Sequence, residues 1–198
     1  MPMKNEPDII LASASPRRKA LMEDAGYLFK VIAADADETL PGGVPPQEAA
    51  IEVARRKALA VAHHAANAIV IGADTIVVTP AGEILGKPID AAHAREMLAG
   101  LSDTTHRVIT GVWVTDTRSG RQTGRAVVTQ VVFGRMSPAQ IDEYVDSGEA
   151  LGKAGAYAIQ ETGDRFVREV RGSFSNVVGL PMEALAEMLE EIWGFTPA

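Results

Sequence analysis

The hydrophobic pattern of this chain changes period repeatedly. Apolar residues run unbroken from Ile9 to Ala12 and from Ala68 to Ala73, as in strands buried on both faces. With the β-branched stretches they predict strands over 8–13, 28–33, 68–79, 106–116, 123–134 and 165–170. Between them the spacing turns helical. Ala50, Val53, Ala54, Ala58 and Val61 fall on one stripe, and helices are predicted over 16–25, 47–65, 90–100, 138–147 and 181–193. Pro41-Gly42-Gly43-Val44-Pro45-Pro46 is a loop.

Alternating strands and helices in the first half predict an α/β domain. The long Val- and Thr-rich segments 106–116 and 123–134, joined by Thr117–Gln122 with Gly120, predict an antiparallel hairpin. An α/β body carrying such a hairpin implies a mixed, twisted sheet with flanking helices. It also suggests one domain with two lobes around a cleft, a common place for a small-molecule site.

A serine, a proline and two arginines then draw the eye to Ser13-Ala14-Ser15-Pro16-Arg17-Arg18, between the first strand and the first helix. Ser15 suits the cap and Pro16 the first helical position. Free N–H groups at the helix start, beside two guanidiniums, make a site suited to phosphates. A basic first turn opposes the helix dipole, which favours a functional reading over a solvated one.

Asp74 ends an apolar run, where open α/β sheets place ligands. Lys57, four residues after Val53, lies on the apolar stripe and must snorkel or find an anion, whereas Arg55 and Arg56 are expected to face outward. Lys87 sits in Gly86-Lys87-Pro88, which alone reads as a turn. The segment Gly152–Gln160, with Lys153 and Tyr157, either approaches a ligand or forms a tight loop. Glu38 closes Asp35-Ala36-Asp37-Glu38, a solvated loop when taken alone; with Asp74 it supplies hard oxygen ligands for Mg²⁺ or Mn²⁺. Together these groups fit metal-assisted phosphoryl chemistry.

Composition narrows the choice. The 198 residues are 46% hydrophobic, ample for a core, and contain no apolar run long enough for a bilayer. A net charge of −7 disfavours nucleic acid and anionic membrane as partners while allowing a local basic pocket. The absence of cysteine excludes disulfides, thiolate metal sites and a cysteine nucleophile. His63 and His64 are adjacent and His93 and His106 isolated, so no histidine metal site is expected. The polar stretch Met1–Asp8 does not read as a signal peptide, and a cytoplasmic location is expected.

The blocks ILASASPRRKAL, DET, ARRKA, IGADTIV, GKP, GKAGAYAIQ and NVVGLP, in that order from Ile9 to about Ile192, resemble the Maf family of nucleoside triphosphate pyrophosphatases. The resemblance implies a mixed α/β sheet with two lobes around a deep cleft, as in the inosine triphosphatase architecture. It implies hydrolysis of a nucleoside triphosphate to monophosphate and pyrophosphate with a divalent cation. Matched by motif, the polar site positions are Ser13, Arg18, Glu38, Lys57, Asp74, Lys87 and Gln160, with Asp74 as proton acceptor. Arg18, Lys57 and Lys87 would neutralise the triphosphate, and Glu38 and Asp74 would hold the cation and activate water. Ser15, Arg17, Thr75 and Lys153 join the expected substrate contacts.

Arg17, Thr75 and Gln160 match the branch that resembles dTTP/UTP pyrophosphatases. The 7-methyl-GTP branch tends to carry tryptophan, glutamine and glutamate there. Gln160 both donates and accepts, which suits the N3–H and carbonyls of uracil or thymine. Gly152 stands where the family often has aspartate, and Ala158 where glycine is frequent. A competing reading is a nucleotide-binding regulator of septum formation, but a binder has no need of a base such as Asp74. The Val-rich hairpin offers a surface for a homodimer.

Overall fold

In the computed structural model, residues 7–160 and 162–193 are described. Most of the polar stretch Met1–Asp8, expected not to be a signal peptide, lies outside them, at Met1 to Glu6. Seven strands form one mixed sheet: β1 (Asp8–Leu11), β2 (Lys30–Val31), β3 (Ala68–Val78), β4 (Ile84–Leu85), β5 (Thr105–Asp116), β6 (Gln122–Phe133) and β7 (Val167–Arg171). The order is β2-β1-β3-β5-β6-β7, with β4 paired to β3. β1 runs parallel to β2 and β3, with Ile9 opposite Ile69 and Leu11 opposite Ile71. β4 is antiparallel to β3, and β7 to β6. The helices are α1 (Pro16–Asp24), α2 (Pro46–Ala62), α3 (Ala91–Leu101), α4 (Pro138–Asp146), α5 (Phe174–Val178) and α6 (Met182–Trp193).

The sequence pattern located the long elements closely. The strand expected over 28–33 shrinks to Lys30–Val31, because Leu28, Val31 and Ile32 point substantially into solvent and only two residues pair with β1. β4, α5 and two short 3₁₀ segments, Ala154–Ala156 and Thr162–Phe166, carry no periodicity long enough to read in advance.

The chain divides into two compact units. The first takes in residues up to Asp74, Thr110–Val127 and Gly179 onward. Leu11, Ile69, Ile71, Val112 and Val114 pack there against Met22 of α1 and Leu185, Met188 and Leu189 of α6. Ile10, Ala12 and Val70 pack with Ala58 and Val61 of α2. The seam between α2 and the sheet has no room for side chains at Gly72 and Gly111. A Cβ on Gly72 would stand 2.2 Å from the Ala54 carbonyl oxygen, and one on Gly111 2.3 Å from the Ala50 carbonyl carbon. Alanines on the helix and glycines on the sheet thus let the two backbones approach directly.

The second unit comprises Thr75–Ile109 and Val128–Val178. Its core joins Leu98, Leu101, Phe133, Tyr144 and Phe166, and His106 is fully buried in the same unit. His106 Nε2 hydrogen-bonds the Tyr157 hydroxyl at 2.8 Å, and its ring packs edge-on against Phe133. Burial pushes the imidazole down to about 4 and the Tyr157 phenol up, so both are neutral near pH 7. In the unfolded chain histidine titrates near 6.5. Between those values the unfolded state binds the extra proton, so the stabilisation is complete above pH 6.5 and disappears as pH falls toward 4. This group should cost about 2 kcal/mol of stability between pH 7 and pH 5. Urea unfolding of the wild type and of His106→Phe at both pH values measures it. A pH dependence that is the same in both proteins would contradict the assignment.

Candidate active site

The strand β1 delivers the chain to Ser13, and α1 begins three residues later. Ser15 is extended (φ −69°, ψ 117°) and its hydroxyl caps the helix through a long contact from Arg18 N at 3.5 Å, with Pro16 opening the first turn. The expected cap is therefore present. Arg18, on the inward face of that turn, is 9% exposed. Its Nη1 donates to Ser13 Oγ at 3.1 Å and its Nε to the Gly179 carbonyl at 2.8 Å. Ser13 Oγ also accepts from Ser15 N at 3.2 Å. Burial pulls the Arg18 guanidinium below its usual value; the negative charge of Asp74 opposes this, Arg17 adds to it and Glu38 opposes it. A guanidinium remains a cation in such a setting, so a fixed positive charge sits beside the carboxylates.

The buried face of α2 includes Ala50, Val53, Ala54, Lys57, Ala58 and Val61, as the stripe predicted. Lys57 does not snorkel. Its Nζ donates to Asp74 Oδ1 at 2.7 Å and pairs with Glu38 Oε1 at 3.1 Å. The side chains of Lys57 and Asp74 are 9% and 14% exposed, whereas Glu38 is 54% exposed. One buried ammonium therefore holds two carboxylates from different parts of the chain. Burial of such a charge is tolerable only because the pairing is close and hydrogen-bonded.

The remaining candidates, Arg17 apart, lie in the second unit. Thr75 follows Asp74 on β3 and is half-buried. Lys87 is exposed in its Gly-Lys-Pro loop, just before Asp90 caps α3 by accepting from His93 N at 2.8 Å. Gly155 N donates to the Gly86 carbonyl at 3.1 Å, joining that loop to the glycine-rich segment. Within the segment Lys153 Nζ donates to the Glu149 carbonyl at 2.6 Å, Tyr157 is buried and Gln160 is exposed. Gly152 has φ +74°, a left-handed conformation that glycine adopts without strain. Arg17 is half-buried.

Glu38 and Asp74 suit a hard divalent cation: two carboxylates that share one ammonium match the small protein share Mg²⁺ takes when phosphates complete its shell. Among the described residues no three His, Asp or Glu side chains are clustered as a self-sufficient metal cage. A surface groove of about 570 Å³ beside Tyr27, Phe29 and Val31 shares no residue with these candidates.

A convergence of cations and carboxylates is a chemical signature shared by many phosphate enzymes. The order of the motifs around it is more particular, and residues 8–192 match the family model described as Maf-like protein. The chain belongs to the Maf family. It is 50% identical over 185 residues to a protein named dTTP/UTP pyrophosphatase from Anaeromyxobacter dehalogenans (strain 2CP-C), covering 92% of this chain and 93% of that protein. A protein of the same name from Pelotomaculum thermopropionicum is 45% identical over 184 residues, covering 93% and 96%. Among solved structures, the Staphylococcus aureus Ham1 protein matches 64% of this chain and 71% of its own at 16% identity, with a TM-score of 0.47.

Two features of this Maf chain escape a reading of the sequence. Arg18 is fixed by a main-chain carbonyl 161 residues away, at Gly179 of the NVVGLP block. Arg56 does not simply face outward: its guanidinium donates to the Thr39 carbonyl at 2.8 Å, so it grips the loop that bears Glu38. Main-chain acceptors leave no mark in side-chain patterning, which is why neither contact was foreseeable.

Proposed function

We propose that this chain is a nucleoside triphosphate pyrophosphatase that hydrolyses dTTP and UTP to the monophosphate and pyrophosphate. The observation that carries the reading is the Lys57 ammonium clasped between Asp74 and Glu38, beside the buried guanidinium of Arg18. Relatives at 45–50% identity bear the name of that activity. The divalent cation would be held by Glu38 and Asp74 with the substrate phosphates, and when bound it supplies charge neutralisation at the phosphoryl oxygens.

In the proposed reaction a water oxygen bonds to the α-phosphorus as the bond from that phosphorus to the α–β bridging oxygen breaks. The bridging oxygen and its electron pair leave with pyrophosphate. Asp74 takes the water proton. Lys57 holds the Asp74 carboxylate through Oδ1, which aims it and restrains its rotation. Arg18, locked by Ser13 and Gly179, meets phosphate charge without reorganising. Lys87, Lys153, Arg17, Ser15 and Thr75 are assigned to the substrate on the strength of the motif match, and Gln160 to the pyrimidine edge.

The test is a panel of nucleoside triphosphates with Mg²⁺ or Mn²⁺, read by released pyrophosphate and monophosphate. Preference for dTTP and UTP supports the proposal; binding of nucleotides without turnover supports a regulator, and preference for 7-methyl-GTP the other branch. Gln160→Glu is expected to reduce kcat/KM for UTP and dTTP by about 10-fold or more, since a carboxylate cannot donate to the pyrimidine carbonyls. An unchanged panel in that variant removes Gln160 from base recognition.

A further inference from the structure

The Glu38 carboxylate is about half exposed and sits in a loop, yet the reading above requires it at a fixed place beside Lys57. Loops do not hold such positions unaided. What ties this one down is Arg56, one residue before Lys57 on α2. Its Nη1 donates to the Thr39 carbonyl at 2.8 Å and makes longer contacts to the Asp37 carbonyl at 3.4 Å and the Asp37 carboxylate at 3.5 Å. Those acceptors flank Glu38 on both sides. The other edge of the guanidinium is fixed as well, because Arg56 Nε donates to Glu52 Oε1 at 3.0 Å, one helical turn back. Glu52 in turn takes a two-pronged contact from Arg55, Nε to Oε2 at 2.8 Å and Nη2 to Oε1 at 3.0 Å. Hydrogen bonding to Arg55 keeps the Glu52 carboxyl below its usual range, so it stays ionised and available to both arginines. Within the loop, Thr39 N donates to Asp37 Oδ1 at 2.9 Å, so the bend itself is locally closed.

We infer that Arg56 is the positioning residue for Glu38: clamped by Glu52 on one edge, it grips the main chain on either side of Glu38 and so sets that carboxylate against Lys57. The inference rests on the proposed pyrophosphatase chemistry for its catalytic consequence, but the clamp is a structural claim with its own readout. The planar fork suits this task in a way a lysine would not, because two edges must be satisfied at once. Adjacent positions on α2 thereby divide the work. Lys57 faces the buried carboxylate, and Arg56, about 100° further round the helix, reaches the loop that brings the second one in.

The experiment is a double-substitution cycle with Arg56→Ala and Glu38→Gln, joined by hydrogen exchange. Arg56→Ala should lower kcat/KM for UTP about tenfold in the wild-type background and less than twofold once Glu38 is already glutamine. Amide exchange over residues 36–40 should accelerate in Arg56→Ala while the core strands β1 and β3 keep their protection. Equal penalties in the two backgrounds overturn the inference, since Arg56 would then act independently of Glu38. Unchanged exchange over 36–40 overturns it too. If the wild type turns over UTP and Arg56→Ala matches it, the clamp idea fails while the pyrophosphatase reading stands. If the wild type hydrolyses no nucleotide, that reading fails and takes the catalytic role of Arg56 with it.

Discussion

Replacing Asp74 by asparagine is expected to lower turnover of dTTP and UTP by about 10²–10⁴-fold, the usual range for loss of a positioned general base. Asparagine keeps the shape of the side chain and can still accept from Lys57 through its amide oxygen. It cannot take a proton from water. Nucleotide affinity should change far less than kcat, because Arg18 and its partners Ser13 and Gly179 are untouched. The substitution also removes one of the two carboxylates on Lys57, leaving Glu38 as its counter-charge at 3.1 Å. The measurement is single-turnover release of pyrophosphate beside equilibrium binding of a non-hydrolysable UTP analogue. Full activity in the variant would refute the role of Asp74 as base. Loss of binding to the same degree as kcat would instead make it a ground-state contact.

The second large effect is expected far from any charge. Gly72→Ala should destabilise the protein by ~3 kcal/mol or more, at the upper end of what overpacking costs. The added methyl would overlap the Ala54 carbonyl oxygen at 2.2 Å and approach Ala58 N at 2.7 Å. Both are helix backbone, so no side-chain rotation relieves the clash. The only relief is to push α2 off the sheet. That same helix carries Lys57, between the two clashing positions, so its reach to Asp74 lengthens as the helix lifts. Stability and kcat should therefore fall together. Gly100→Ala is the control: it lies near the end of α3 with nothing beyond its own stretch of helix backbone within 4 Å of the new methyl, and is expected to be neutral or to stabilise by up to about 1 kcal/mol. Urea midpoints for the three proteins decide the matter. A Gly72→Ala protein as stable as the wild type would show that the helix–sheet seam can yield.

Residue pattern alone determined much about this protein. Unbroken apolar runs and β-branched stretches located the long strands, and the stripe on α2 showed that Lys57 points inward, because burial of apolar surface dictates which face of an element turns to the core. The serine and proline before Arg17 marked the start of α1 correctly, since capping is local chemistry within four residues. The order of the motif blocks was enough to place the chain in its family.

Tertiary structure alone decided which charges meet. Lys57 and Asp74 are 17 residues apart, and no periodicity says that a helix stripe will descend onto that particular strand. It does so because Gly72 and Gly111 lack the atoms that would hold α2 away. The grip of Arg56 on the Thr39 carbonyl and of Gly179 on Arg18 was likewise invisible beforehand, for each partner is a main-chain oxygen common to every residue. Sequence specifies side chains, whereas the positions of backbone acceptors exist only once the chain has folded.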